Sequence, residues 1–130
     1  MPNSETCLQT ARRVITTEAD ALNTLANGLS QPFADAVELL LNAKGRVIVS
    51  GMGKSGHIAR KMAATFASTG TPAQFVHPAE ASHGDLGMMA QGDVVLVLSN
   101  SGETPELADM VAYTRRFRIP LIGVASRAES

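Results

Sequence analysis

The chain has 130 residues, 45% hydrophobic and 18% charged, with a formal net charge of −1. That is enough apolar material for one buried core, and too little charge imbalance to hold nucleic acid or an anionic membrane surface electrostatically. Aromatic residues make up only 4%, which leaves little for stacking on single strands, and no run approaches the ~20 continuous apolar residues of a membrane span. The single Cys7 forms no internal disulfide and makes a reducing cytoplasm the default compartment. The opening MPNSETCLQTARR lacks the basic-then-apolar order of a signal peptide.

From about Glu5 to Leu29, apolar residues recur at Leu8, Ile15, Leu22 and Leu29, with Ala11, Ala19, Leu25 and Ala26 between them. This stripe predicts a long amphipathic helix. Pro32 suits the first turn of a second helix with Phe33, Ala36, Val37, Leu40 and Leu41 on its apolar face, closed by Lys44-Gly45. Residues 1–45 therefore read as a helical N-terminal segment.

The rhythm changes over residues 46–130. VIVSG (47–51) is a short apolar run, as expected of a strand covered on both faces. HIARKMAATFASTG (57–70) has helical spacing with Gly70 as a stop, and AQFVH (73–77), VVLVLS (94–99) and PLIGVAS (120–126) are three further strands. A helix from Glu103 to Phe117 joins the last two. Alternating buried strands and helices predict an α/β fold, a Rossmann-like (flavodoxin-like) parallel sheet flanked by helices. Ser130 follows the fourth strand without the helix expected next, so the domain reads as incomplete at its C-terminus.

Ligands of such sheets collect at the carboxyl ends of the strands. The first loop there, GMGKSGH (51–57), has the G-x-G-x-x-G spacing of a dinucleotide loop and the G-K-S of a triphosphate loop. It fails both tests. Ile48 stands where the triphosphate loop needs its first glycine, and the second strand ends in His77 where a ribose-binding acid belongs. The glycines still permit close backbone approach to an anion at a helix N-terminus, and Lys54 adds a positive charge; a tight turn with a solvated lysine is the plainer alternative. The loop SNSGET (99–104) places Ser99, Ser101 and Thr104 around Gly102 at the start of a helix. Three hydroxyls with helix-terminal N–H groups suit a phosphate monoester, whereas helix capping alone accounts for one of them.

GMGKSGH, ATFASTGTPAQFVHPAEASHGDLGM and SNSGETPE together resemble the SIS (sugar isomerase) domain of arabinose 5-phosphate isomerases, nearly continuously from about residue 45 to 126. The resemblance implies interconversion of arabinose 5-phosphate and ribulose 5-phosphate in synthesis of the lipopolysaccharide sugar Kdo. It implies catalytic roles for Lys54, His83 and Glu106: charge stabilisation or anchoring, contact with sugar hydroxyls or ring opening, and proton transfer. Glu103 is the rival proton carrier, and residue chemistry alone does not separate the two. Ser50, Gly70, Thr71, His83, Ser99, Ser101 and Thr104 are expected to bind substrate; an ordinary helix-ending turn explains Gly70-Thr71 equally well.

No cofactor is required, because isomerisation through an enediolate needs no metal; the resemblance nevertheless points to zinc near His77, as an inhibitor or structural visitor. It further implies a homo-oligomer, a tetramer, which the Leu8-Ile15-Leu22-Leu29 stripe can support, and relatives that continue into CBS regulatory domains lacking here. The expected partner is a small sugar phosphate. Two alternatives stand beside this reading. A non-catalytic phosphosugar sensor, as in some transcription regulators, is disfavoured by an N-terminus without a basic recognition helix. An isomerase of heptose or hexulose phosphates is disfavoured by EASHGDLGM.

Overall fold

The computed structural model describes residue 1, residues 3–82 and residues 85–127, with the backbone alone at residues 82, 85 and 86. Two compact units emerge, Met1–Asp35 and Ala36–Ser130.

The first unit is dominated by helix α1 (Ser4–Gly28). Asn3 caps it: its side-chain oxygen accepts from the Thr6 N–H at 2.8 Å, satisfying one of the amides that a helix start leaves without a partner. The apolar stripe is present, and α1 buries none of its residues. Helix α2 (Gln31–Leu41) comes next and crosses the boundary between the units.

The second unit is built on four parallel strands, β1 (Val47–Gly51), β2 (Ala73–Phe75), β3 (Val94–Leu98) and β4 (Leu121–Val124), in the order β2-β1-β3-β4. β1 pairs with β3 over its whole length, from Val47↔Val94 to Gly51↔Leu98. Both central strands are buried at every position. Side chains alternate across a strand, so each continuous apolar run feeds two cores. Ile48, Val95 and Val97 pack on one face with Leu107, Met110 and Ile119. Val47, Val49, Leu96 and Leu98 pack on the other with Ala59 and Ala63. Helix α3 (Gly53–Ser68) supplies that second layer and α5 (Ala108–Arg116) the first.

Several boundaries differ from the periodicity reading for local reasons. α3 starts at Gly53 rather than His57, because the first amides of a helix need no partner four residues back and the strand can turn directly into it through Met52. β2 stops at Phe75: the Val76 carbonyl bonds a side chain, and Pro78 has no N–H to continue the ladder. Pro78 instead opens a short helix α4 (Pro78–Ser82), and a 3-10 turn (Asp85–Met88) comes after it on the way to β3. The helix expected from Glu103 begins at Pro105, as a 3-10 turn (Pro105–Leu107) leading into α5.

At the amino ends of β1 and β3, Asp93 is buried, and its two oxygens accept from the N–H groups of Arg46 at 2.7 Å and Ala90 at 2.9 Å. This carboxylate ties the strand entrances on the edge opposite the predicted site.

Candidate functional site

The carboxyl edge of the sheet carries the chemistry. The turn from β1 into α3 is only one residue long, so Lys54 lies in the first turn of α3 rather than in a loop. That short join requires close contact: a Cβ on Gly56 would lie 2.7 Å from the Gly51 carbonyl oxygen. Glycine lets the helix start descend onto the strand end, and the lysine lies in the turn whose amides have no partner within a helix.

The loop after β3 is held by its own hydroxyls. Ser99 Oγ accepts from the Gly102 N–H at 3.0 Å and lies 2.6 Å from Thr104 Oγ1. Ser101 Oγ accepts from the Glu103 N–H at 3.0 Å. The donors can be counted. Ser101 accepts from backbone and keeps its O–H free. The Ser99–Thr104 pair uses one of its two protons internally and keeps the other. Three hydroxyls thus offer two O–H donors, in a loop whose backbone they also brace.

Two cavities meet at this loop. One, of about 480 Å³, lies between α3 and the ends of β3 and β4, and is lined by Lys54, Ser99, Asn100 and Ser126 over the apolar Ile58 and Met62. The other, of about 700 Å³, lies between α5 and β4, with Ser99, Gly102, Glu103, Thr104, Arg115 and Arg127 on its walls. The structure therefore brings Lys54 and Ser99 together, with Thr104 adjoining. Glu106, exposed in the 3-10 turn before α5, is not among the residues lining these two cavities, whereas Glu103 lines the larger one.

Other expected residues are placed elsewhere. Ser50 is fully buried, and its hydroxyl donates to the Val76 carbonyl at 2.5 Å. Gly70 and Thr71 lie at the opposite edge, beside Pro72, whose carbonyl accepts from the first residue of β1. They close α3: Gly70 N–H donates to Ala67 O, Thr71 N–H to Phe66 O, and Gly70 has φ +100°. These two bonds and the left-handed glycine are the Schellman arrangement that satisfies terminal carbonyls, so helix termination accounts for the turn without a ligand. His83 lies outside the described residues.

His77 lies just past β2, half-buried, and its Nδ1 accepts from the Ala79 N–H at 3.1 Å. A neutral ring so bonded carries its proton on Nε2. Binding a metal through Nε2 would require moving that proton and breaking the bond. Among the described residues no three His, Cys, Asp or Glu cluster as a metal site. The described residues do not fit a zinc ion at His77 in this arrangement.

Ser126 and the Asn100 carbonyl escape the motif reading. Ser126 donates through its N–H (3.0 Å) and Oγ (2.6 Å) to that carbonyl, closing the smaller cavity between the β3 and β4 ends. A serine just past an apolar strand was the available signal.

Fold and site together define a doubly wound α/β domain with a donor-rich carboxyl edge. The SIS domain family matches residues 39–130, and the chain belongs to it. It is 53% identical over 123 residues to the arabinose 5-phosphate isomerase KdsD of Pseudomonas aeruginosa, covering 95% of this chain and 38% of that protein. It is 51% identical over 122 residues to KdsD of Escherichia coli, covering 94% and 37%. The chain thus spans little more than a third of these relatives' length. A solved protein of E. coli CFT073, in complex with arabinose 5-phosphate, superposes with a TM-score of 0.92 at 40% identity, over 99% of this chain and 69% of that one.

Proposed function

We propose that the chain carries the SIS portion of an aldose–ketose isomerase that interconverts D-arabinose 5-phosphate and D-ribulose 5-phosphate, in supply of the lipopolysaccharide sugar Kdo. The observation that carries this reading is Lys54 and Ser99 on one cavity at the carboxyl edge. The names of relatives at 51–53% identity support the choice of substrate.

In this reading the phosphate lies on the hydroxyl loop and receives the two free O–H donors of Ser99, Ser101 and Thr104. A base removes the C2 proton of the open aldose and the electron pair forms the C1–C2 enediolate with its charge on O1; the O2–H proton passes to O1, and the base returns its own proton to C1 as O2 becomes the ketone. Glu106 is the proton carrier, with Glu103 its rival. Lys54 stabilises the enediolate oxygen as charge develops there, where a preorganised cation lowers the barrier most. His83 serves the sugar hydroxyls. No step needs a metal. The protein works in the cytoplasm as a homo-oligomer, a tetramer, with the apolar stripe of α1 at a subunit contact.

The test is to add arabinose 5-phosphate to this chain and, separately, to the product of the full open reading frame, and to follow ribulose 5-phosphate. Turnover by the full product is expected. Tight phosphosugar binding with neither species turning over would replace the isomerase by a phosphosugar sensor.

A further inference from the structure

A hydroxyl in the fully buried centre of a sheet is unfavourable unless it is bonded. Position 50 is such a place. It lies in β1, opposite Val97 of β3, and every residue of β1 is buried. An alanine would fill it without a polar atom to satisfy. The serine there spends its proton on the Val76 carbonyl at 2.5 Å, while the Val76 N–H donates to the Val49 carbonyl at 3.0 Å. Residue 76 is therefore held to β1 through both its N–H and its C=O, directly before His77.

His77 is fixed in turn by the start of α4. Its ring accepts from the Ala79 N–H, its carbonyl accepts from the Ala81 N–H at 3.0 Å, and Pro78 and Ala81 are buried. The ring also meets Phe75 edge-on, with centroids 6.3 Å apart. Rotation of the Val76 carbonyl away from Ser50 would turn the next residue and take the His77 ring out of register with α4. The same serine stands four residues before Lys54, at the end of the strand that delivers it.

We infer that Ser50 is a positioning residue: its buried hydroxyl locks the carboxyl ends of β1 and β2 together and so fixes His77 relative to Lys54. Its importance for turnover rests on the isomerase reading above; its control of the His77 ring does not.

The test uses the full-length gene product labelled with ¹⁵N at histidine, as wild type and as Ser50→Ala. In the wild type the His77 ring shows a single Nε2–H tautomer. In Ser50→Ala it shows both tautomers, and kcat falls by roughly tenfold with KM within about twofold, since Lys54 follows directly on the strand end that the bond locks and its displacement from the enediolate acts on the chemical step. Wild-type ring signals in Ser50→Ala overturn the inference, and altered signals with unchanged kcat overturn its catalytic half. If Ser50→Ala does not fold, Ser50→Cys keeps the shape with a weaker donor; wild-type ring signals and turnover in it overturn the inference equally. A wild type without isomerase activity removes the isomerase reading, while the ring signals still decide whether Ser50 sets His77.

Discussion

Ser101 Oγ accepts the N–H of Glu103 at 3.0 Å, so the central hydroxyl of the β3 loop and one of the two candidate carboxylates belong to a single small turn. Such a turn replaces a helical amide partner with a side chain and leaves the serine proton pointing elsewhere. The loop is braced before any ligand arrives. The same bonds that shape it determine which protons remain to be given.

That accounting predicts unequal effects for two similar substitutions. Ser101→Ala removes a free donor and should weaken inorganic phosphate or arabinose 5-phosphate roughly ten- to hundredfold, the range of one hydrogen bond to a charged group. Thr104→Val should weaken binding less, within about threefold, because the freed Ser99 proton can turn outward in its place. Calorimetric titration of both variants measures the difference. Equal losses would mean that Thr104, and not Ser99, supplies the outward proton of the pair.

Glu106→Gln should lower kcat by at least about a hundredfold while leaving sugar-phosphate affinity close to wild type, because an amide keeps the shape and cannot carry the proton. Glu103→Gln should leave kcat within about threefold. Steady-state kinetics with separate binding measurements checks both. A fully active Glu106→Gln enzyme transfers the role to Glu103, the carboxylate that lines the larger cavity.

The sheet was legible in the sequence because two continuous apolar runs, Val47–Val49 and Val94–Leu98, can be buried on both faces only in a covered parallel sheet. The hydroxyl loop was legible because Ser99, Ser101 and Thr104 fall within six residues. What periodicity could not reach were contacts between distant strands. Nothing around Ser50 in sequence announces the Val76 carbonyl, 26 residues away. Glycine spacing around Lys54 points to a loop, whereas packing on β1 winds those residues into α3. Gly70-Thr71 is ambiguous because a ligand contact and a helix stop use the same residues.

Gly70 offers a direct test of that ambiguity. Ala at φ +100° is strained, so Gly70→Ala should cost about 1–2 kcal/mol of stability. As the turn lies at the amino edge of the sheet, KM should stay within about twofold at temperatures where the variant is folded. Thermal denaturation and kinetics on the same preparation check both parts. A raised KM without a lowered Tm would return the residue to the substrate.

Asp93 carries the opposite edge of the sheet. Both its oxygens accept backbone N–H groups, from Arg46 before β1 and from Ala90 before β3, and the residue is 3% exposed. Asp93→Ala leaves those amides without the carboxylate and should cost about 2–4 kcal/mol, the sum expected for two charge-assisted bonds with partial rescue by water at the exposed Ala90. Asp93→Asn should cost about half as much, because its oxygen can keep one amide while its NH₂ group repels the other. Chemical denaturation should show both losses with an unchanged m-value. Since Asp93 stands at the amino ends of strands whose carboxyl ends bind ligand, phosphate affinity should be unaffected in the folded variants. A loss of phosphate affinity parallel to the loss of stability would show instead that the two edges of the sheet are coupled.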